Sequence, residues 1–229
     1  MKPIGLIGGT SWVSTIEYYR IINEEINRRR GGLNFAELLI YSLNHGEFKA
    51  LLDAGNWPDI SNKYINAAKG LEAAGAACIL LCAATPHKIA SAITAAISIP
   101  LIHIADVVAD ELKANSIKKV ALIGTKFTME ELFFKDRLRM KGIDVIIPQQ
   151  QERDYLQETI FSELGRGVFS NVTRQKYLHM INDLKSAGAE SVIFGCTEFS
   201  LLIKQEECPL TIIDPTKSHA VAAVNFSIN

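Results

Sequence analysis

Short apolar runs bounded by glycine or proline alternate along the chain with longer stretches in which apolar residues return every three or four positions. The first kind reads as buried strands, the second as helices. The first strand runs from Ile4 to the Gly8-Gly9 pair, and a helix follows from Ser14 to Arg30. Glu37–Leu43 is a short strand, and Asp59–Ala74 a helix with Asp59 or Ser61 as its cap. Strand 76–82, helix 86–97, strand 101–104 and helix 105–115 complete the first half. The second half predicts strand 119–124, helix 128–141, strand 143–147, helices 153–165 and 171–187, strand 190–195, helix 198–204 and strand 210–213. A final helix covers Ser218 to Phe226.

Strands separated by helices imply right-handed βαβ units and parallel sheets. The pattern is also duplicated. Ile4-Gly5-Leu6-Ile7-Gly8-Gly9-Thr10 matches Val120-Ala121-Leu122-Ile123-Gly124-Thr125, and Ile99-Pro100-Leu101-Ile102 resembles Cys208-Pro209-Leu210-Thr211. The stretch from Gly75 to Thr85 parallels that from Gly188 to Thr197: a Gly-Ala turn, a buried strand, then small polar residues. Aligned on the two glycines, Cys196 falls opposite Ala83. The expected fold is α/β, with two pseudo-symmetric halves, each a parallel sheet flanked by helices. The halves are expected at residues 1–105 and 106–217, with the hinge near helix 105–115 and helix 218–229 packing back on the first. Ligands of such sheets bind beyond the carboxyl ends of the strands, so the active site is expected in a cleft between the halves.

Composition narrows the function. The 229 residues are 48% hydrophobic, enough for a real core, and the net charge of −1 argues against nucleic acid or an anionic membrane as partner. Arg28-Arg29-Arg30 reads as the end of a helix. No stretch reads as a signal peptide or a membrane span. The cysteines at 78, 82, 196 and 208 lack zinc-type spacing and read as reduced thiols of a cytoplasmic protein, with no metal site.

The turns Gly8-Gly9-Thr10-Ser11, Ala83-Ala84-Thr85-Pro86-His87, Gly124-Thr125-Lys126-Phe127-Thr128 and Gly195-Cys196-Thr197-Glu198 all join a strand to a helix. They offer backbone N–H groups and hydroxyls that suit a carboxylate. With Trp12, Tyr18-Tyr19, Met129, Asp214, Thr216 and His219, these motifs resemble the aspartate/glutamate/hydantoin racemase superfamily, in its aspartate racemase-like branch. The resemblance runs nearly end to end. It implies a cofactor-independent proton transfer at the α-carbon of an acidic amino acid, one residue acting on each face of the substrate, in a protein expected to be a homodimer. The family's first motif usually reads Cys-Asn-Thr or Thr-Asn-Thr, then one residue, then His. Here alanine stands at both the acid/base position, Ala83, and the asparagine position, Ala84.

Cys196 is the expected acid/base. A helix N-terminus beside it would lower a thiol pKa from ~8.5. Cys82, next to Ala83, reads first as a small buried hydrophobe, because neighbouring strand side chains alternate faces; a bulge would be needed to turn it into the site. Thr10, Ser11, Ala84, Thr85, Thr125, Thr128 and Thr197 are candidates for holding substrate, or cap helices. Glu198 and His87 would orient a base or, respectively, cap a helix and sit at the surface. Arg166, Lys126 and Lys204 are the cations available for a distal carboxylate, arginine being the better bidentate partner. Asn44, His45 and Trp57 would line the cleft or belong to solvated loops. The expected substrate is a small amino acid or dicarboxylate, and the leading activity is racemisation of aspartate or glutamate, impaired or altered by Ala83. The alternatives are a single-cysteine decarboxylase of a malonate-type acid, a non-catalytic amino-acid-binding protein, or alanines introduced at 83 and 84.

Overall fold

The computed structural model describes residues 1–229. The chain opens with β1 (Ile4–Gly8), α1 (Trp12–Arg30), β2 (Leu38–Ser42), α2 (His45–Asp53), α3 (Trp57–Ala73), β3 (Cys78–Leu81), a 3-10 turn (Thr85–Ile89) and α4 (Ala90–Thr94). It continues through α5 (Ile104–Ala114), β4 (Lys119–Ile123), α6 (Lys126–Glu130), α7 (Leu132–Met140), β5 (Asp144–Ile146) and α8 (Gln150–Ser162). A 3-10 turn (Leu164–Arg166), α9 (Asn171–Ser186), β6 (Ser191–Phe194), α10 (Phe199–Leu202), β7 (Thr211–Ile213) and α11 (Pro215–Ile228) complete it. Two compact units result: residues 1–104 with 216–229, and residues 105–215. The sheets are parallel, ordered β2-β1-β3 in the first unit and β5-β4-β6-β7 in the second. No helix is long and apolar enough to cross a membrane.

Alternation along the strands builds the core of the first unit on both sides of its sheet. Ile7, Ile79 and Leu81 pack with Ile60, Tyr64, Ala67 and Leu71 of α3. Ile4, Leu6, Cys78, Leu80 and Cys82 pack with Tyr18, Ile22 and Ile26 of α1 and Ala220, Ala223 and Val224 of α11. Each large aliphatic side chain buried this way contributes roughly 1.5–3 kcal/mol. In the second unit, Ala121, Ile123, Val192 and Phe194 face α8 and α9, and Cys196 packs against the same cluster.

The duplication is visible in the strand registers. Ile4 pairs with Cys78 and Ile7 with Leu81, while Val120 pairs with Ser191 and Ile123 with Phe194. Counting on from these pairs makes Ala83 the counterpart of Cys196. Gly75 and Gly188 hold φ of 99° and 95°, which a side chain adopts only with strain; the same turn needs glycine in both repeats. The third match shifts by two residues. Leu101 bridges Ile79, whereas Ile212 pairs with Val192. The partner of Leu101 is therefore Ile212, not Leu210.

Several elements differ from the sequence expectation. Residues 101–104 form no strand; Leu101 makes a single bridge and α5 begins at Ile104. The expected helix 86–97 is a 3-10 turn leading into the short α4. Helix 128–141 is broken at Glu131, whose ψ of 156° is extended. Lys135 Nζ donates to the freed Glu130 carbonyl at 2.8 Å. Helix 198–204 shrinks to α10, ended by the extended Ile203. Helix 153–165 lies at α8, one turn earlier, and α2 was not expected at all. The cap of α3 is Asn56, whose side chain accepts from Asp59 N at 3.2 Å. Arg28 and Arg29 close α1 on Glu25, at 2.6 Å each.

Candidate active site

At the end of β1 the backbone passes flush against the end of β2. A Cβ on Gly9 would overlap the Leu43 carbonyl oxygen, and the residue's φ is +85°. Gly9 N donates to Thr15 Oγ1 at 3.1 Å. The next two residues have defined tasks. Thr10 Oγ1 is hydrogen-bonded to the Tyr64 hydroxyl, and burial pushes that phenol's pKa up. Ser11 caps α1 by accepting from Ser14 N. Both stay half-buried.

At the end of β3, Ala83, Ala84 and Thr85 are half-buried and Ala84 gives the following turn no side-chain cap. His87 supplies the missing hold. Its Nδ1 lies 2.9 Å from the Ala83 carbonyl oxygen and 3.2 Å from that of Ala84, so this nitrogen carries the proton. His87 is thus a buried residue, 2% exposed, not a surface one. Cys82 does not join this turn. Its N–H continues the ladder to the Ile7 carbonyl at 2.9 Å, so there is no bulge. Its thiol faces α1 and α11, and burial pushes its pKa up.

At the end of β6 the chain turns at Gly195. A Cβ there would meet the Ile123 carbonyl oxygen at 2.9 Å and Thr128 Cγ2 at 3.0 Å. Thr128 is 1% exposed, and its hydroxyl faces that of Thr125 at 3.2 Å. It therefore holds the turn and offers no open hydroxyl. Thr125 caps α6, accepting from Thr128 N. Beyond Gly195, Cys196 Sγ donates to Glu198 Oε2 at 2.8 Å, and Thr197 Oγ1 donates to the same oxygen at 2.8 Å. Burial first, then the charge and hydrogen bond of Glu198, push the Cys196 pKa well up. This corrects the expectation of a dipole-lowered thiol. Helix α10 has only four residues, too short for a useful dipole, and the nearest charge is negative.

Of the candidate cations, Lys126 pairs with Asp154 and Lys204 Nζ donates to the Ser200 carbonyl at 2.7 Å. Arg166 is exposed, makes no ion pair, and is followed by Gly167 in the left-handed region. Asn44 caps α2, with its side chain accepting from Gly46 N and Glu47 N. His45 opens that helix, exposed, its ring 6.5 Å from that of Phe48. Trp57 opens α3 with Lys88 Nζ over its ring. Sequence reasoning missed Tyr64. The spacing Ile60, Tyr64, Ala67, Leu71 on α3 was the available signal. It also missed Ser200 Oγ, which donates to Asp214 Oδ2 at 2.8 Å.

Strand ends that carry a thiol–carboxylate pair in one unit and its alanine counterpart in the other can be set beside known proteins. A putative Asp/Glu racemase from Yersinia pestis has a similar structure, with TM-score 0.95, 40% identity and 100% of both chains covered. An aspartate racemase homologue from Pyrococcus horikoshii OT3 has TM-score 0.87 and 35% identity, again over 100% of both chains. The broad specificity amino-acid racemase RacX of Bacillus subtilis (strain 168) is 21% identical over 97% of this chain and 96% of its own. The profile of the Asp/Glu/hydantoin racemases matches residues 7–223. With its duplicated parallel sheets and its Gly-Cys-Thr-Glu turn, this chain belongs to the Asp/Glu/hydantoin racemase family.

Proposed function

We propose that this protein is a cofactor-independent racemase of acidic amino acids, in which Cys196 moves the α-proton and Glu198 is the thiol's own proton acceptor. The observation that carries the reading is the 2.8 Å bond from Cys196 Sγ to Glu198 Oε2 at the carboxyl end of β6. At rest the thiol holds its proton. Passing that proton along the existing bond to Glu198 leaves a thiolate. A thiolate formed in a half-buried setting beside a carboxylate is a stronger base than one in water, as removal of a weakly acidic α-proton requires. Reversal of both transfers reprotonates the carbon on the same face. The N–H groups of the turn after β6 suit the α-carboxylate, and Arg166, which makes no ion pair, suits the distal one.

Alanine at 83, the counterpart of Cys196 in the repeat, has no proton to give or take. Exchange of the α-proton with solvent should then outrun inversion by a factor of about 10²–10⁴, the usual worth of one general acid/base. The experiment is NMR in deuterium oxide with each enantiomer of aspartate and glutamate. One hand should lose its α-proton signal while the other accumulates slowly, and Cys196→Ser should abolish both. Exchange that survives in the serine variant would remove Cys196 from the mechanism.

A second reading is favoured by the same raised pKa. A thiol protonated at rest suits a decarboxylase, which needs only to protonate an enediolate from one face. Release of carbon dioxide from a substituted malonate, with no α-proton exchange on amino acids, would select it.

A further inference from the structure

Three buried imidazoles meet in the first unit, outside the thiol chemistry. His87 stands in the turn after β3, His103 just before α5, and His219 in α11. The ring centroids of His87 and His103 are 4.6 Å apart, and those of His87 and His219 are 5.5 Å apart. All three residues are 6% exposed or less. Each segment has a distinct place in the chain. His87 grips the Ala83 and Ala84 carbonyls. His103 lies immediately before the first boundary between units, at 104/105, and His219 shortly after the second, at 215/216. His219 Nε2 also lies 2.7 Å from the Ile102 carbonyl oxygen, and its Nδ1 2.8 Å from the Tyr18 hydroxyl.

These bonds define the protons. His219 donates from Nε2 to Ile102 and accepts at Nδ1 from Tyr18. His87 donates from Nδ1, and its Nε2 is buried with no hydrogen-bond partner. A second proton on His87 would therefore appear on a nitrogen with nothing to receive it. On His219 it would force the Tyr18 hydroxyl to turn. The titratable groups facing the cluster include Tyr18 from α1, His103 from the segment before α5 and His219 from α11. Burial chiefly, and then the neighbouring imidazoles, hold His87 well below the usual histidine range, against the pull of the two carbonyls. Burial takes His219 down to about 4.

We propose that His87, His103 and His219 form a neutral-histidine latch that ties the turn bearing Ala83 to both points where the chain leaves and re-enters the first unit, and that protonation releases all three segments together. The latch goes beyond the racemase reading and does not depend on it. The sign follows from linkage. A histidine buried neutral binds fewer protons folded than released, so the latch is complete above about pH 6.5 and weakens as the pH falls toward about 4.

The test is hydrogen–deuterium exchange of the full chain between about pH 7.5 and about pH 5, corrected for intrinsic exchange. Opening that takes up one proton grows about tenfold per pH unit. Peptides covering residues 82–90, 100–106 and 216–222 should therefore gain exchange together below about pH 6.5, while β4 and β6 stay protected. Asparagine can imitate the Nδ1 donor without titrating. His87→Asn should keep the neutral-pH protection and flatten the acid response. Imidazole ¹⁵N spectra near neutral pH should show the Nδ1–H form of His87 and the Nε2–H form of His219, with no variant required. Exchange that is independent of pH, that rises across the whole chain at once, or whose rise below about pH 6.5 is as steep in His87→Asn as in the parent chain would overturn the latch, as would an imidazolium at either residue near neutral pH.

Discussion

At the residue scale, the chemistry rests on two side chains in one turn. Cys196 and Glu198 are two positions apart in the turn after β6, and Glu198 folds back so that its Oε2 accepts from Cys196 Sγ at 2.8 Å. The Cys196 candidate was legible because the Gly-Ala turn before it is repeated, and so was the alanine at 83. The sign of the thiol's pKa shift was not. It depends on Glu198 folding back onto Sγ and on α10 being one turn long, and neither follows from residue types. Substitution of Glu198 separates the influences. Glu198→Gln removes the charge that, after burial, most raises the Cys196 pKa. Its thiol should titrate at lower pH than in the parent chain. The rate of alkylation by iodoacetamide against pH measures this, and an unmoved or rising midpoint would mean that burial alone sets the thiol. The same variant should lower proton exchange, since the thiol's acceptor is gone.

At the element scale, what positions the site is where strands stop. Each stop was readable from glycine and hydroxyl residues, but the sequence did not distinguish a cap from a ligand. Thr125 and Ser11 cap helices, while Thr10 is bonded sideways to Tyr64. Helix α2 escaped notice because it buries only Phe48 among nine residues and opens with Asn-His-Gly, a run that reads as a loop. The supposed strand at 101–104 failed for the opposite reason. Its apolar residues are genuine, but Ile104 already starts α5. The β1 end gives the sharpest test. Gly9→Ala would force a side chain into the left-handed region and drive its Cβ onto the Leu43 carbonyl oxygen. The expected loss is on the order of 3 kcal/mol or more, read as a lower urea midpoint with unchanged slope. Gly32 has the similar φ of +60° with open space around it. Gly32→Ala should cost only the backbone strain, about 1 kcal/mol. Equal losses in the two variants would show that the close approach to Leu43 is not what glycine serves at position 9.

At the scale of the whole molecule, the buried ionisable groups set a window of stability. The duplication and the α/β class were legible because glycines and apolar runs repeat in order. The uneven distribution of buried titratable groups was not, because burial of His87, His103 and His219 comes from segments far apart in sequence. On the acid side, His87 and His219 titrate below the range of a released histidine. The unfolded chain therefore binds more protons below about pH 6.5, and stability falls with pH, by about 1.4 kcal/mol per unit for each group in the interval. On the alkaline side, burial pushes the Cys78 thiol up to about 12, and the Cys82 and Cys196 thiols also rise. There the unfolded chain loses protons first, so stability falls as pH rises past about 8.5. The expected profile is a plateau from about pH 6.5 to about 8.5 with a fall on either side. Urea midpoints measured across this range check it. Because Cys82 takes no part in the site, Cys82→Ala should leave the plateau's acid edge in place and reduce the alkaline slope by one group's share. Stability that keeps rising above about pH 9 would show that these thiols reach water in the folded state and that α1 and α11 do not seal the face of β3 that carries Cys78 and Cys82.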